Sequence, residues 1–131
     1  MAALAVLSVI IALVVYRFAG HYLSSYSSSN IPAVNSCQTI GTMHTVSIKN
    51  SLATPAETSA KLCDQLTINN DDSRAHLMAF GPHDRHQAYD GVAEKLLQSG
   101  QNLQITLNQT GTYQFHDHNG DVAKGSFTVS Q

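Results

Sequence analysis

From about residue 40 to its end, the chain alternates between apolar and polar residues in short runs separated by turn-forming residues. Successive side chains of a β-strand point to opposite faces, so such alternation is typical of half-buried strands. Turn signals recur about every 8–12 residues, the spacing expected of a β-sandwich. We therefore expect the all-β fold class, as one compact β-sandwich over residues 38–131, which is large enough to bury a core.

The alternating runs locate the individual strands. Residues 59–62 lead into a second alternating run at 66–68, and residues 69–73 form a strong turn cluster. Residues 91–98, GVAEKLLQ, suggest the one short helical turn of this region. The other candidate strands are 45–49, 75–80, 103–107, 111–117 and 125–129.

Residues 2–16 form an unbroken run of apolar or small residues, AALAVLSVIIALVVY. The run is shorter than the roughly 20 residues that span a bilayer, but it can be extended over 1–23 if Arg17 reaches the interface. Residues 24–37 follow as a Ser-rich linker. We expect a single-pass anchor that holds the domain outside the cell membrane, or a secreted domain if residues 1–23 are a cleaved signal segment. Arg17 taken alone favours the opposite orientation.

Composition narrows the classes of partner. Charged residues make up 12% of the chain, about half of the roughly 25% typical of soluble domains. The formal net charge is −2, so the chain lacks the basic footprint of a nucleic-acid-binding protein. Histidine is the unusual feature: the chain has seven.

Three segments resemble the cupredoxin family, in the family's order: LTINNDDSRAH, LLQSGQNLQITLNQTGTYQF and FHDHNGDVAKGSFTV. The resemblance covers about residues 44–131 and implies a cupredoxin-like Greek-key sandwich. It places the family's first histidine ligand on His76. Counted back from Lys124, the family's cysteine falls on Asp117, its second histidine on Gly120 and its methionine on Ala123. A blue-copper site needs a thiolate and two imidazoles, so we do not expect one here.

Histidines replace the missing ligands. The stretches PHDRH at 82–86 and FHDH at 115–118 resemble a histidine-rich branch of cupredoxin-like proteins. In this fold the loops after the two flanking strands lie at one end of the sandwich, which implies a shared metal site. Imidazole suits copper, with zinc as the alternative, and Asp84 or Asp117 would orient a ring through its second nitrogen or act as a further ligand. The candidate metal ligands are His76, His83, His86, His116 and His118.

Each candidate also has a simpler interpretation. His76 shares strand parity with Met78 and Phe80, which fits a hydrogen-bonded core histidine. His83 and His86 fit solvated turn residues, and the equal parity of His116 and His118 points both at a metal or both at water. Asp117 has inward parity, so it needs a partner, for which a metal, Arg74 and imidazoles are the options.

Cys37 and Cys63 are the two cysteines of the chain. In an exported domain their pairing closes a loop worth about 3 kcal/mol in the chain-entropy model. The alternative is a buried thiol at Cys63 and a loose thiol at Cys37.

Two functions from different classes follow. The leading one is an extracytoplasmic, membrane-tethered domain that binds copper through histidines, for copper handling or redox exchange with a partner protein that the sequence does not identify. The second is a metal-free β-sandwich interaction module of the cell envelope. Enzymatic activity is the weaker idea, because an acid–base pair for a copper oxidoreductase is not identifiable from the sequence.

Overall fold

A computed structural model of the protein describes residues 37–120 and 122–131. The expected anchor or signal segment at 1–23 and nearly all of the linker lie outside these residues. Among the described residues, we find no helix with the length and hydropathy needed to cross a membrane.

The described residues form β-strands joined by turns and loops, as the alternation predicts. The strands are β1 (Met43–Lys49), β2 (Leu52–Thr54), β3 (Glu57–Lys61), β4 (Gln65–Asn70), β5 (His76–Phe80), β6 (Glu94–Leu97), β7 (Asn102–Thr106), β8 (Gly111–Asp117) and β9 (Lys124–Ser130).

Two mixed sheets form the sandwich. One sheet has the order β2-β1-β4-β7, and the other has the order β3-β9-β8-β5-β6. The pairs β1–β4 and β3–β9 are parallel, whereas the remaining neighbours are antiparallel. The expected all-β sandwich class is therefore confirmed for the described residues.

The core lies between the sheets and consists of the apolar residues of the alternating runs. Leu103, Ile105 and Leu107, which share one face of their segment, are all buried. Phe80, Tyr89 and Phe127 pack by ring contacts, with centroids 5.1–6.4 Å apart. Burial of such aromatic rings is a main source of stabilisation for a domain of this size.

Two sequence-based expectations are wrong. Residues 91–98 contain strand β6 rather than a helical turn, because Glu94–Leu97 pair with β5 and bury Leu97. Residues 59–62 also do not lead directly into the strand at 66–68. The turn at Cys63 and Asp64 separates β3 from β4, and the two strands belong to different sheets. In both cases long-range strand pairing overrides the local pattern.

The two cysteines form the expected disulfide. Cys37 is bonded to Cys63, with a sequence separation of 26. The bond ties the residues before β1 to the turn between β3 and β4.

Candidate metal centre

Strands β5 and β8 present different chemistry on their two faces. Met78 lies opposite Asp117, and Phe80 lies opposite Phe115; Met78, Phe80 and Phe115 belong to the core. Directly opposed residues of an antiparallel pair share a face, so Asp117 also points inward. Ala79 and His116 are opposed between these pairs and therefore point to the outer face.

On the inner face, His76 is fully buried between two carboxylates. Its Nδ1 lies 2.8 Å from Asp117 Oδ2, and its Nε2 lies 2.9 Å from Asp72 Oδ2. The backbone N–H of Ser51 is the main cause that lowers the pKa of Asp72, and the His76 side chain adds to it. Each ring nitrogen of His76 therefore faces a carboxylate oxygen, so the buried ring has a hydrogen-bonding partner on both sides.

Asp117 is fully buried at the position where the resemblance puts the family's cysteine. Its Oδ1 accepts hydrogen bonds from the backbone N–H groups of Leu77 and Asn119, at 3.1 and 3.2 Å. Arg74 Nη2 lies 3.5 Å from its Oδ2. Of the partners considered for this carboxylate, the structure shows His76 and Arg74 in contact with it.

The inner position does not fit a blue-copper ion. Both cysteines of the chain are in the disulfide, so a thiolate is not available. The ring nitrogens of His76 are engaged with carboxylates. Ala123, at the family's methionine position, is buried and has no donor atom.

On the outer face, the chain after β5 returns over the sheet and carries two histidines. Gly81 has a φ of 85°, which favours glycine, and a Cβ there would lie 2.9 Å from Gln87 N. The backbone N–H of Arg85 donates to Pro82 O and closes a turn. The N–H of Gln87 then donates to Phe80 O, which brings the loop back to the end of β5.

Four imidazoles meet on this face, two from the turn and two from the end of β8. The ring centroid of His83 lies 5.2 Å from the centroid of His116 and 4.7 Å from that of His118. The ring centroid of His86 lies 5.2 Å from the centroid of His116 and 4.8 Å from that of His118. The two remaining separations are 6.4 and 6.3 Å, so the rings form a folded quadrilateral in which the two segments alternate. We call His83, His86, His116 and His118 the four-histidine cluster.

The nitrogen atoms of the cluster are near ligand spacing. His86 Nε2 lies 3.2 Å from His118 Nδ1. Metal–nitrogen bonds of about 2.0 Å place tetrahedral ligand atoms about 3.3 Å apart, so this pair already has the spacing. His83, His116 and His118 each offer a nitrogen within 4.8 Å of the others.

Glu94 orients one ring of the cluster. Its Oε1 lies 2.5 Å from Nδ1 of His86, and a carboxylate that accepts from one ring nitrogen directs the other nitrogen toward a metal. Glu94 was not predicted from the sequence, which pointed to Asp84 or Asp117 for this role. Asp84 is exposed in the turn. The feature that brings Glu94 to the cluster is the register of the β5–β6 hairpin. Glu94 lies opposite Ala79 on β5, and Ala79 lies opposite His116 on β8.

The structure thus brings four of the five predicted histidines together and leaves His76 on the inner face with Asp72 and Asp117. His116 is 5% exposed, whereas His83 is exposed at the edge of the cluster. The cluster can hold a metal ion that prefers imidazole, such as copper or zinc, without a thiolate.

Comparison with known proteins gives the fold. No protein-family model matches the chain, and no curated protein matches it. A reduced amicyanin variant is similar, with 18% identity, a TM-score of 0.57, and coverage of 71% of this chain and 87% of that chain. Another amicyanin variant, in its Cu(I) form, has 20% identity, a TM-score of 0.57 and the same two coverages, 71% and 87%. A purple cupredoxin from Nitrosopumilus maritimus has 17% identity and a TM-score of 0.56 over 66% of this chain and 98% of that chain. The part of the chain that the structure describes therefore has a cupredoxin-like fold.

Proposed function

We propose that this domain binds copper through the four-histidine cluster and serves in copper handling or redox exchange with a partner protein. The observation that carries the proposal is the convergence of four imidazoles from two distant segments, with neighbouring ring centroids 4.7–5.2 Å apart. Where the geometry of a site does not select one divalent metal, imidazole ligands bind copper most tightly, and zinc is the alternative. The Cu(I) form of the similar amicyanin variant agrees with this choice.

The site differs in kind from a blue-copper centre. Four neutral imidazoles without a thiolate suit a tetragonal Cu(II) ion. Such a centre gives weak visible absorption and a tetragonal EPR signal, and it lacks an intense thiolate-to-copper charge-transfer band. We therefore propose slow redox exchange or copper delivery rather than rapid electron transfer.

The proposed location is outside the cell membrane. Residues 1–23 would anchor the domain, or would be removed to release it. The Cys37–Cys63 disulfide supports an oxidising compartment, because such bonds persist outside the reducing cytosol.

Copper titration of the chain, purified without a histidine tag, tests the proposal. We expect a Kd tighter than about 10 μM and a rise in melting temperature on metal addition. Replacing His116 and His118 by alanine should remove both effects. His83→Ala, at an exposed position, should weaken binding while leaving the fold intact.

His44→Gln is the matched control, because it removes an imidazole from the other sheet, where His44 pairs with Asp64. It should leave copper affinity unchanged. A parent protein whose melting temperature ignores copper and zinc would refute the proposal and favour the metal-free interaction module.

A further inference from the structure

A cleft of about 590 Å³ opens beside the four-histidine cluster, and His83 and His116 line it. The turn at Gly81 and Pro82 forms one wall, and residues of β8 and β9 form the floor. A ligand in the cleft would thus reach the metal from the side of His83 and His116.

The floor of the cleft carries a cation next to the cluster. Lys124 lies directly opposite His116 in the β8–β9 pair, so both side chains occupy the outer face as neighbours. Gln114 and Ser126 form the next pair on that face. Glu57 lies opposite Ser126 on β3, and its carboxylate is therefore one row farther from the cluster than Lys124.

On the cleft side, the positive charge of a bound divalent metal would not be balanced by a neighbouring negative side chain. The four histidines are neutral ligands, whereas Glu94 forms a further group of potential ligands with His86 and His118. In the row of paired residues across the sheet, Ala79 and His116 lie between Glu94 and Lys124, so Glu94 would compensate a divalent ion from the side away from the cleft. Glu94 contacts the cluster through His86, whereas Lys124 adds a positive charge beside His116. An anion located between the metal and Lys124 would be attracted by both.

We propose that the cleft is a binding site for a small monovalent anion, which ligates the metal between His83 and His116 and pairs with Lys124. This inference rests on the proposed metal function. Glu57 limits the size of the anion, because a longer dianion would extend from Lys124 toward the Glu57 carboxylate. The metal centre would thereby take a small anionic ligand from solution.

Azide is a suitable probe, because its binding to Cu(II) gives a charge-transfer absorption and changes the EPR signal. The full chain is loaded with one equivalent of copper and titrated with azide at constant ionic strength. Lys124→Gln should weaken azide binding by about 4-fold, the effect of a unit charge at roughly 5 Å in water, and by more where the cleft lowers the dielectric constant.

Two controls separate charge from structure. Lys49→Gln removes an exposed lysine from the other sheet and should leave azide affinity unchanged. Pyridine is a neutral ligand, so Lys124→Gln should not weaken its binding.

A normal copper titration without any response to azide would overturn the anion site and leave the proposed metal function standing. Equal azide affinity in the parent and Lys124→Gln, or equal loss of azide and pyridine, would also overturn it. A chain that takes up no copper in the first step refutes the metal function and the anion site together.

Discussion

Replacing Asp117 by alanine tests the buried ion pair on the inner face of β5 and β8. The change removes the acceptor for His76 Nδ1 at 2.8 Å and the acceptor for the backbone N–H groups of Leu77 and Asn119. His76 has no exposed surface, so Asp72 would then be the one carboxylate left beside its ring. Removing one partner of a buried pair costs about 3–5 kcal/mol.

That loss is large relative to a typical free energy of unfolding of about 5–15 kcal/mol. Urea denaturation of the full chain at pH 7 measures it as a lower midpoint with an unchanged slope. Asp84→Ala is the matched control, because Asp84 is an exposed aspartate in the turn after β5. Its free energy of unfolding should stay within about 0.5 kcal/mol of the parent.

A double-mutant cycle with His76→Ala isolates the pair. The double variant should be less destabilised than the sum of the single variants by about 1–3 kcal/mol. An Asp117→Ala variant that loses less than about 1 kcal/mol, or a cycle without coupling, would refute the ion-pair reasoning.

Three further predictions concern other parts of the domain. Replacing Cys37 and Cys63 by serine should lower the free energy of unfolding by about 3 kcal/mol in urea denaturation, because the disulfide closes a long loop. Glu94→Gln should weaken copper binding by about 10-fold in a competition titration, because His86 loses its orienting carboxylate. The N–H of Lys61 is the main cause that lowers the pKa of Asp64. The stability contributed by Asp64 is therefore present above its unfolded pKa and is lost as pH falls through its lowered folded pKa. Asp64→Asn should destabilise the domain at pH 7, and the difference from the parent should begin to shrink as the pH falls below about 4.

Each of these has a contrary outcome. Equal urea midpoints for the parent and the serine variant would contradict the role of the disulfide. Unchanged copper affinity in Glu94→Gln would show that packing alone orients His86. A constant stability difference between Asp64→Asn and the parent from pH 7 to pH 3 would remove the ionised carboxylate as the cause.

Most of the strands could be predicted from local pattern. Leu103, Ile105 and Leu107 alternate with polar residues, and each is buried as expected. Residues 91–98 were predicted as a helical turn because the run is short and mixes apolar with charged residues. Its pairing with β5 is a long-range contact that local periodicity does not contain.

The site was predictable only in part. Strand parity gave His116 and His118 a common direction and gave Asp117 the opposite one, and the structure places them accordingly. Parity did not reveal that His76 would lie between Asp72 and Asp117. Glu94 escaped notice because its nearness to His86 depends on the hairpin register.

The sequence by itself determined the all-β class and the inward and outward faces of β8, because alternation is a local property. Only the tertiary structure decided where the histidines meet. The course of the chain from Gly81 back over the outer face depends on backbone hydrogen bonds from Gln87 to Phe80 and from Gly81 to Gln114. Long-range contacts of this kind follow from the packing of the whole domain, so the four-histidine cluster and its neighbouring lysine are properties of the fold.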